Sequence, residues 1–178
     1  MPDDIVTLFL CGDVMTGRGI DQILPHPSPP GLFESYVISA LEYVDLAERA
    51  SGPIPRRADF NYIWGEALAE LDRVAPAAGI VNLETAVTTS SDHTPKGINY
   101  RMHPANIRCL TAAKIDCCVL ANNHVLDWGR AGLEETLHTL RGAGFGTAGA
   151  GRNLNEALAP CIINAGAARI LVFAFAGP

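Results

Sequence analysis

Three short apolar runs, each closing on polar residues of similar character, constrain this chain more than anything else in it. Ile5-Val-Thr-Leu-Phe-Leu-Cys11 passes into Gly12-Asp13, Gly79-Ile-Val-Asn-Leu83 into Glu84, and Ile115-Asp-Cys-Cys-Val-Leu-Ala121 into Asn122-Asn123-His124. Runs of this length, rich in Val, Ile and Leu, read as buried strands. Residues 160–164 and 169–176 add a hairpin pair around Ala165-Gly166. Between the first two runs, Phe60, Ile63, Trp64, Ala67, Leu68 and Leu71 recur at helical spacing behind Asp59, a natural N-cap. The pattern predicts one amphipathic helix from there, with Trp64 and Leu68 largely buried. A second helix is predicted from about Arg130 to Arg141, with Leu133, Leu137 and Leu140 inward and Gly142 or Gly144 ending it. Strands alternating with helices predict an α/β layered fold with a mostly parallel sheet.

The stretch from about residue 20 to 57 breaks this rhythm. Leu24-Pro-His-Pro-Ser-Pro-Pro-Gly31 excludes regular structure, and residues 34–50 return to helical spacing at Tyr36, Ala40, Tyr43, Val44 and Ala47. Two readings stand side by side: a lid over a ligand site, or an insertion with a purely structural role. Otherwise the 178 residues fit one domain.

Composition narrows the partners. A net charge of −6 leaves no basic stripe for nucleic acid. The first residues are polar and acidic, and the run that follows is too short for a signal peptide or a membrane span, so the chain as given reads as cytoplasmic. Five cysteines without a CxxC pair, most of them inside apolar runs, read as buried free thiols.

In parallel α/β sheets, ligands gather where the carboxyl ends of strands open into a crevice. Asp13, Glu84, Asn123 and His124 would converge there as oxygen and nitrogen donors suited to a divalent ion such as Mn, Fe or Zn. Taken singly, each has a plainer role. Asp13 caps a turn, Glu84 caps the segment after its strand, Asn122-Asn123 forms an Asx-turn, and His124 packs under the following helix. Their joint placement at three strand ends favours a site.

Longer strings carry a resemblance. Gly12-Asp-Val-Met-Thr-Gly-Arg18 is similar to a GDVMxGR motif, Val81-Asn-Leu-Glu-Thr85 to an NLE motif, and Leu120-Ala-Asn-Asn-His-Val-Leu-Asp-Trp-Gly129 to ANNHxxDxG. Tyr100-Arg-Met-His-Pro104 and the Gly149-Ala-Gly151 stretch with Glu156-Ala157 follow the same order. Together they resemble the bacterial capsule-synthesis (CapA, or PGA-cap) domain of the calcineurin-like metallophosphoesterase superfamily.

That resemblance implies a four-layer αββα sandwich and a link to poly-γ-glutamate capsule synthesis. It implies metal ligation by Asp13, Glu84 and Asn123, with His124 as a further ligand or a stabiliser of the leaving group. Arg18 and His103 would be substrate contacts, unless Arg18 pairs with Asp127 instead. Met15 stands where the wider superfamily has a histidine, and a thioether is a poor ligand for a hard ion. Glu84 stands where Asp is commoner. The family continues with HWG and GHHxH-type histidine motifs, whereas this chain stops at Gly177-Pro178, and His26, His93 and His138 fit no ligand motif. The expectation is therefore a fold without its C-terminal part, weak metal binding and negligible phosphodiesterase activity from these 178 residues. Two functions are carried forward. One is metal-dependent hydrolysis of a phosphoester or related polymer bond. The other is a non-catalytic subunit that binds or assembles an anionic polymer.

Overall fold

The computed structural model describes residues 5–177. Its elements are β1 (Leu8–Val14), α1 (Arg18–Ile23), α2 (Ala40–Ser51), α3 (Ala67–Val74), β2 (Ala78–Leu83), β3 (Ala86–Val87) and β4 (Arg101–Met102). They continue with α4 (Arg108–Ala112), β5 (Cys117–Val119), α5 (Gly129–Gly142), β6 (Gly146–Ala148), α6 (Leu154–Leu158), β7 (Cys161–Ala165) and β8 (Ala168–Val172). The main sheet has the order β1-β2-β5-β6, with every pair parallel. The expected parallel α/β arrangement is present.

Alternation along β2 and β5 decides how the layers stack. Val81, Leu83 and Cys118 face a large core built with Leu110, Leu137 and Leu140, the last two from α5. Ile80 and Cys117 face the other way, against Cys161 and Ile163 of the antiparallel β7–β8 hairpin. A parallel strand buried on both faces needs apolar residues at successive positions, which is why these runs lack a polar alternation. Cys109, Cys117, Cys118 and Cys161 are buried, Cys11 is half-buried, and none is in a disulfide. Burial pushes the Cys109 and Cys118 thiols up to about 12, which makes them packing groups rather than nucleophiles. No described helix is long and apolar enough to cross a membrane.

Several boundaries differ from the sequence reading. β1 runs through Gly12-Asp13 instead of ending at Cys11, because its ladder with β2 continues to Val14↔Leu83. An irregularity between Cys11 and Asp13 absorbs the extra residue. β6 has no counterpart in the sequence reading: three small residues, Gly146-Thr-Ala148, carry too little pattern. The single helix expected after Asp59 is two pieces, a 3₁₀ turn at Tyr62–Trp64 and then α3. Gly65 at φ +53° breaks it, a conformation open to a residue without Cβ. Trp64 and Leu68 consequently lie against the core only half-buried, with Trp64 Nε1 donating to the Cys109 carbonyl at 2.7 Å.

In the excursion, residues 20–23 complete α1, and of the span 34–50 read as helical only Ala40 onward is, in α2 (Ala40–Ser51). Ser39 and Glu42 form a capping box that fixes the start of α2 and leaves residues 34–39 outside it. The excursion is packed down: α2 lies on α1, and the Ala58 N–H donates to the Ile23 carbonyl at 2.7 Å.

Candidate functional site

The carboxyl ends of β1, β2 and β5 meet as the sheet order requires, and their side chains are tied in series. Asn82 donates to Asp13 Oδ1 at 2.7 Å, and Asn122 donates to Asn82 Oδ1 and to the Leu83 carbonyl, both at 3.0 Å. The His124 N–H closes the series on Asn122 Oδ1 at 3.0 Å. Asn82 and Asn122 therefore set the spacing of the three strand ends. Glu84 follows β2 directly, and its N–H donates to the Val14 carbonyl at 3.1 Å, extending the ladder one residue beyond the strand.

His124 is the most constrained member. Its side chain is 7% exposed, and Nδ1 lies 2.7 Å from Asp127 Oδ2. The Asp127 side chain is fully buried. It also accepts from the Tyr100 N–H at 2.6 Å and sits 2.5 Å from Lys96 Nζ. Lys96 Nζ further donates to the Asn123 carbonyl at 2.6 Å. A carboxylate on Nδ1 fixes both the orientation and the tautomer of an imidazole. The other ring nitrogen, Nε2, points toward Glu84 Oε1 at 3.8 Å.

Above this pair lies a stack. The Tyr100 ring covers His124 with centroids 3.9 Å apart, and the Arg18 guanidinium lies 4.8 Å from the centroids of both Tyr100 and Tyr43. Arg18 Nε pairs with Glu34 Oε1 at 2.7 Å, and the Tyr43 hydroxyl donates to Glu34 Oε2 at 2.5 Å. Arg18 thus pairs with Glu34, correcting the suggested partner Asp127. The Pro-rich stretch brings Glu34 to Arg18, a nearer countercharge, while Lys96 and His124 already hold Asp127. Burial pulls the Arg18 pKa down, but Tyr100 and Glu34 outweigh it and leave it above its ordinary value. Burial raises the Tyr100 phenol, opposed by Arg18 and reinforced by Glu84 and Glu34.

Backbone strain marks the same place. Arg18 adopts φ +49°, which costs a residue with a Cβ on the order of 1 to 2 kcal/mol. Gly17 beside it permits the approach, since a Cβ there would meet the Arg101 carbonyl at 3.0 Å.

The predicted residues are placed unevenly. Glu84, His124 and Arg18 belong to one cluster. Asp13 is exposed and joined to it through Asn82 and Asn122, and Asn123 is exposed on the same loop. His103 lies apart. Its N–H donates to Asp21, its Nδ1 accepts from the Ala105 N–H, and its ring faces His26 at 6.5 Å. Lys96, Tyr100, Glu34 and Asp127 join the site without having been expected in it from the sequence. Only Asp127, three residues after His124, carries a local signal.

The donors test the implied metal. Glu84 and His124 Nε2 offer two facing donors, and Asp13 is engaged by Asn82. Among the described residues, no three His, Cys, Asp or Glu side chains come together as a group able to hold a metal ion. As arranged, the residues do not fit a two-metal centre.

Comparison with known proteins supports the family resemblance. The family model described as "Bacterial capsule synthesis protein PGA_cap" matches residues 7–177. Two Mycobacterium tuberculosis proteins (strains CDC 1551 / Oshkosh and H37Rv), each named a probable polyglutamine synthesis accessory protein, are 46% identical over 170 residues. That alignment covers 95% of this chain and 45% of each relative. The PGA biosynthesis protein CapA of Bacillus subtilis (strain 168) is 24% identical over 157 residues, covering 87% of this chain and 33% of that protein. The chain spans less than half the length of the curated relatives it matches. It belongs to the bacterial capsule synthesis protein family, PGA_cap.

Proposed function

We propose that this chain takes part in making a polyglutamate-type capsule polymer, and that it carries the Glu84–His124 part of a site acting on a phosphoester or related polymer bond. One observation carries the reading: buried Asp127 holds His124 Nδ1, which leaves Nε2 facing Glu84. An imidazole held this way can accept or deliver a proton at Nε2 beside a bond under attack, a contribution of about 10²- to 10⁴-fold in rate. Arg18 and Tyr100 hold the ring flat and limit water on that side. A divalent ion and the four-layer sandwich implied by the resemblance belong to the same proposal, in proteins of the full family length. The donors of these residues do not assemble around an ion, so the chemistry assigned to this chain rests on His124 and Glu84.

The competing reading, a non-catalytic subunit for an anionic polymer, has less support in the charges. Arg18 and Lys96, the cations at the site, are already paired with Glu34 and Asp127.

The test joins this chain to the remaining segment of the M. tuberculosis relative and assays a chromogenic phosphodiester and poly-γ-glutamate with Mn²⁺. The 178-residue chain is expected to show negligible turnover, and the chimera turnover that His124→Gln removes. Turnover indifferent to His124→Gln would overturn the role given to His124. Polymer retention without cleavage in every form would establish the binding subunit instead.

A further inference from the structure

Four buried side-chain polar atoms lack a hydrogen-bond partner among the described protein groups: Thr16 Oγ1, Ser28 Oγ, Asn99 Oδ1 and Asp127 Oδ1. Two of them come from different segments of one seam, Ser28 Oγ in the Pro-rich excursion and Asn99 Oδ1 in the loop before β4. Ser28 and Asn99 are 6% and 5% exposed. Leaving such atoms unpaired forfeits their hydration without replacement, so native structures rarely do it.

Both residues line the same small cavity of about 20 Å³, together with Asp21, Arg101 and Trp128. Roughly 10 to 15 Å³ suffices for a water molecule, provided two to four polar partners surround it. The orientation of Asn99 is not arbitrary. Its Nδ2 donates to the Thr94 carbonyl at 2.9 Å and to the Asp127 carbonyl at 3.0 Å, two acceptors that only an NH₂ group satisfies. Oδ1 is therefore the atom left over. Ser28 is equally fixed through its backbone: its N–H donates to Asp21 Oδ2 at 2.7 Å, and its carbonyl accepts from Gln22 Nε2 at 3.0 Å. Its hydroxyl is the group left over.

We infer that one ordered water molecule binds at this seam, donating to Asn99 Oδ1 and bonded to Ser28 Oγ, with the Asp21 carboxylate and Arg101 guanidinium as further partners. Its place gives it a role. Ser28 belongs to the excursion that delivers Glu34 to Arg18. Asn99 is tied to the backbone of Asp127, whose side chain orients His124. The water therefore pins the excursion to the loop that holds the imidazole, coupling the order of the one to the other.

Ser28→Ala in the intact chain separates the alternatives, because it deletes only the unpaired hydroxyl. With a bound water, the substitution removes one of its partners, and the melting temperature falls by about 2 to 4 °C. Without one, it deletes an unsatisfied buried group, and the melting temperature stays or rises. In the unsubstituted chain, magnetisation transfer from a long-lived water to the Ser28 amide is the expected direct signature. Its absence, together with an unshifted Ser28→Ala, overturns the inference. So does a melting temperature that depends on potassium or ammonium against choline at equal ionic strength, which would place a cation there.

Discussion

Asp13 and Asn123 stand exposed at the strand ends, while His124 and Asp127, from the same loop as Asn123, are buried and engaged on nearly every polar atom. The exposed half depends on one amide relay, through Asn82 and Asn122. The buried half draws on three separate segments: the excursion through Glu34 and Tyr43, the loop with Lys96 and Tyr100, and the ANNH loop itself. The difference shows where orientation is enforced. A side chain that must present one nitrogen in one direction is surrounded, whereas one that can meet a ligand in several ways is left in water.

The largest effect that could break this comparison comes from Asp127. Asp127→Ala leaves the Tyr100 N–H and the His124 Nδ1 group without their acceptor and Lys96 without its countercharge, and should cost about 3 to 5 kcal/mol in urea unfolding. A cost below about 1 kcal/mol would mean that the buried half is not what holds the loop.

Glu34 comes next. Its side chain is fully buried, and Arg18 is 16% exposed. Glu34→Gln removes the charge but keeps an acceptor, so a loss of about 1.5 to 3 kcal/mol is expected. Hydrogen exchange should rise over residues 31–39 and at Arg18. Exchange rising only within α2 would confine the role of Glu34 to the excursion.

The same contrast separates what sequence reveals from what it hides. Asp13, Glu84 and His124 are legible because each follows an apolar run, and strand ends in a parallel sheet must converge. Asp127 is visible as a neighbour of His124 three residues on, although the partner the sequence reading offers for it, as an alternative role for Arg18, is not the one it has. Glu34, Lys96 and Tyr100 leave no such mark. Lys96 meets Asp127 from a separate loop, and Glu34 reaches Arg18 from beyond a Pro-rich stretch that carries no periodicity. Long-range pairs of this kind are set by how the loops pack, and single residues without a repeat carry no signal for it. Likewise, α5 is legible from Leu133, Leu137 and Leu140, but the break at Gly65 is not, because apolar spacing continues through it.

A smaller effect sharpens the comparison at Tyr100. Tyr100→Leu keeps apolar cover over His124 but loses the stacked ring and the Arg18 contact, and should cost about 0.5 to 1.5 kcal/mol beyond the area lost. The accompanying signature is a changed imidazole environment in the NMR spectrum of His124, since its upper face is no longer a ring. An unchanged His124 resonance would remove Tyr100 from the set of positioning residues.

Asp13 should show the smallest effect on stability, and that makes it the most useful variant. The residue is exposed, and its carboxylate accepts one hydrogen bond, from Asn82, at the open end of the relay. After Asp13→Ala, the Asn82 amide is only half-buried and can turn to water, so no group is left both desolvated and unpaired. The unfolding free energy should therefore stay within about 0.5 kcal/mol of the unsubstituted chain. A loss above about 1 kcal/mol would show that the Asp13–Asn82–Asn122 relay is a structural brace and that the two halves are alike. With stability unchanged, any fall in turnover of the chimera on a phosphodiester reports the chemistry of that carboxylate alone. Asp127→Ala cannot offer that separation, because there the fold and the imidazole are lost together.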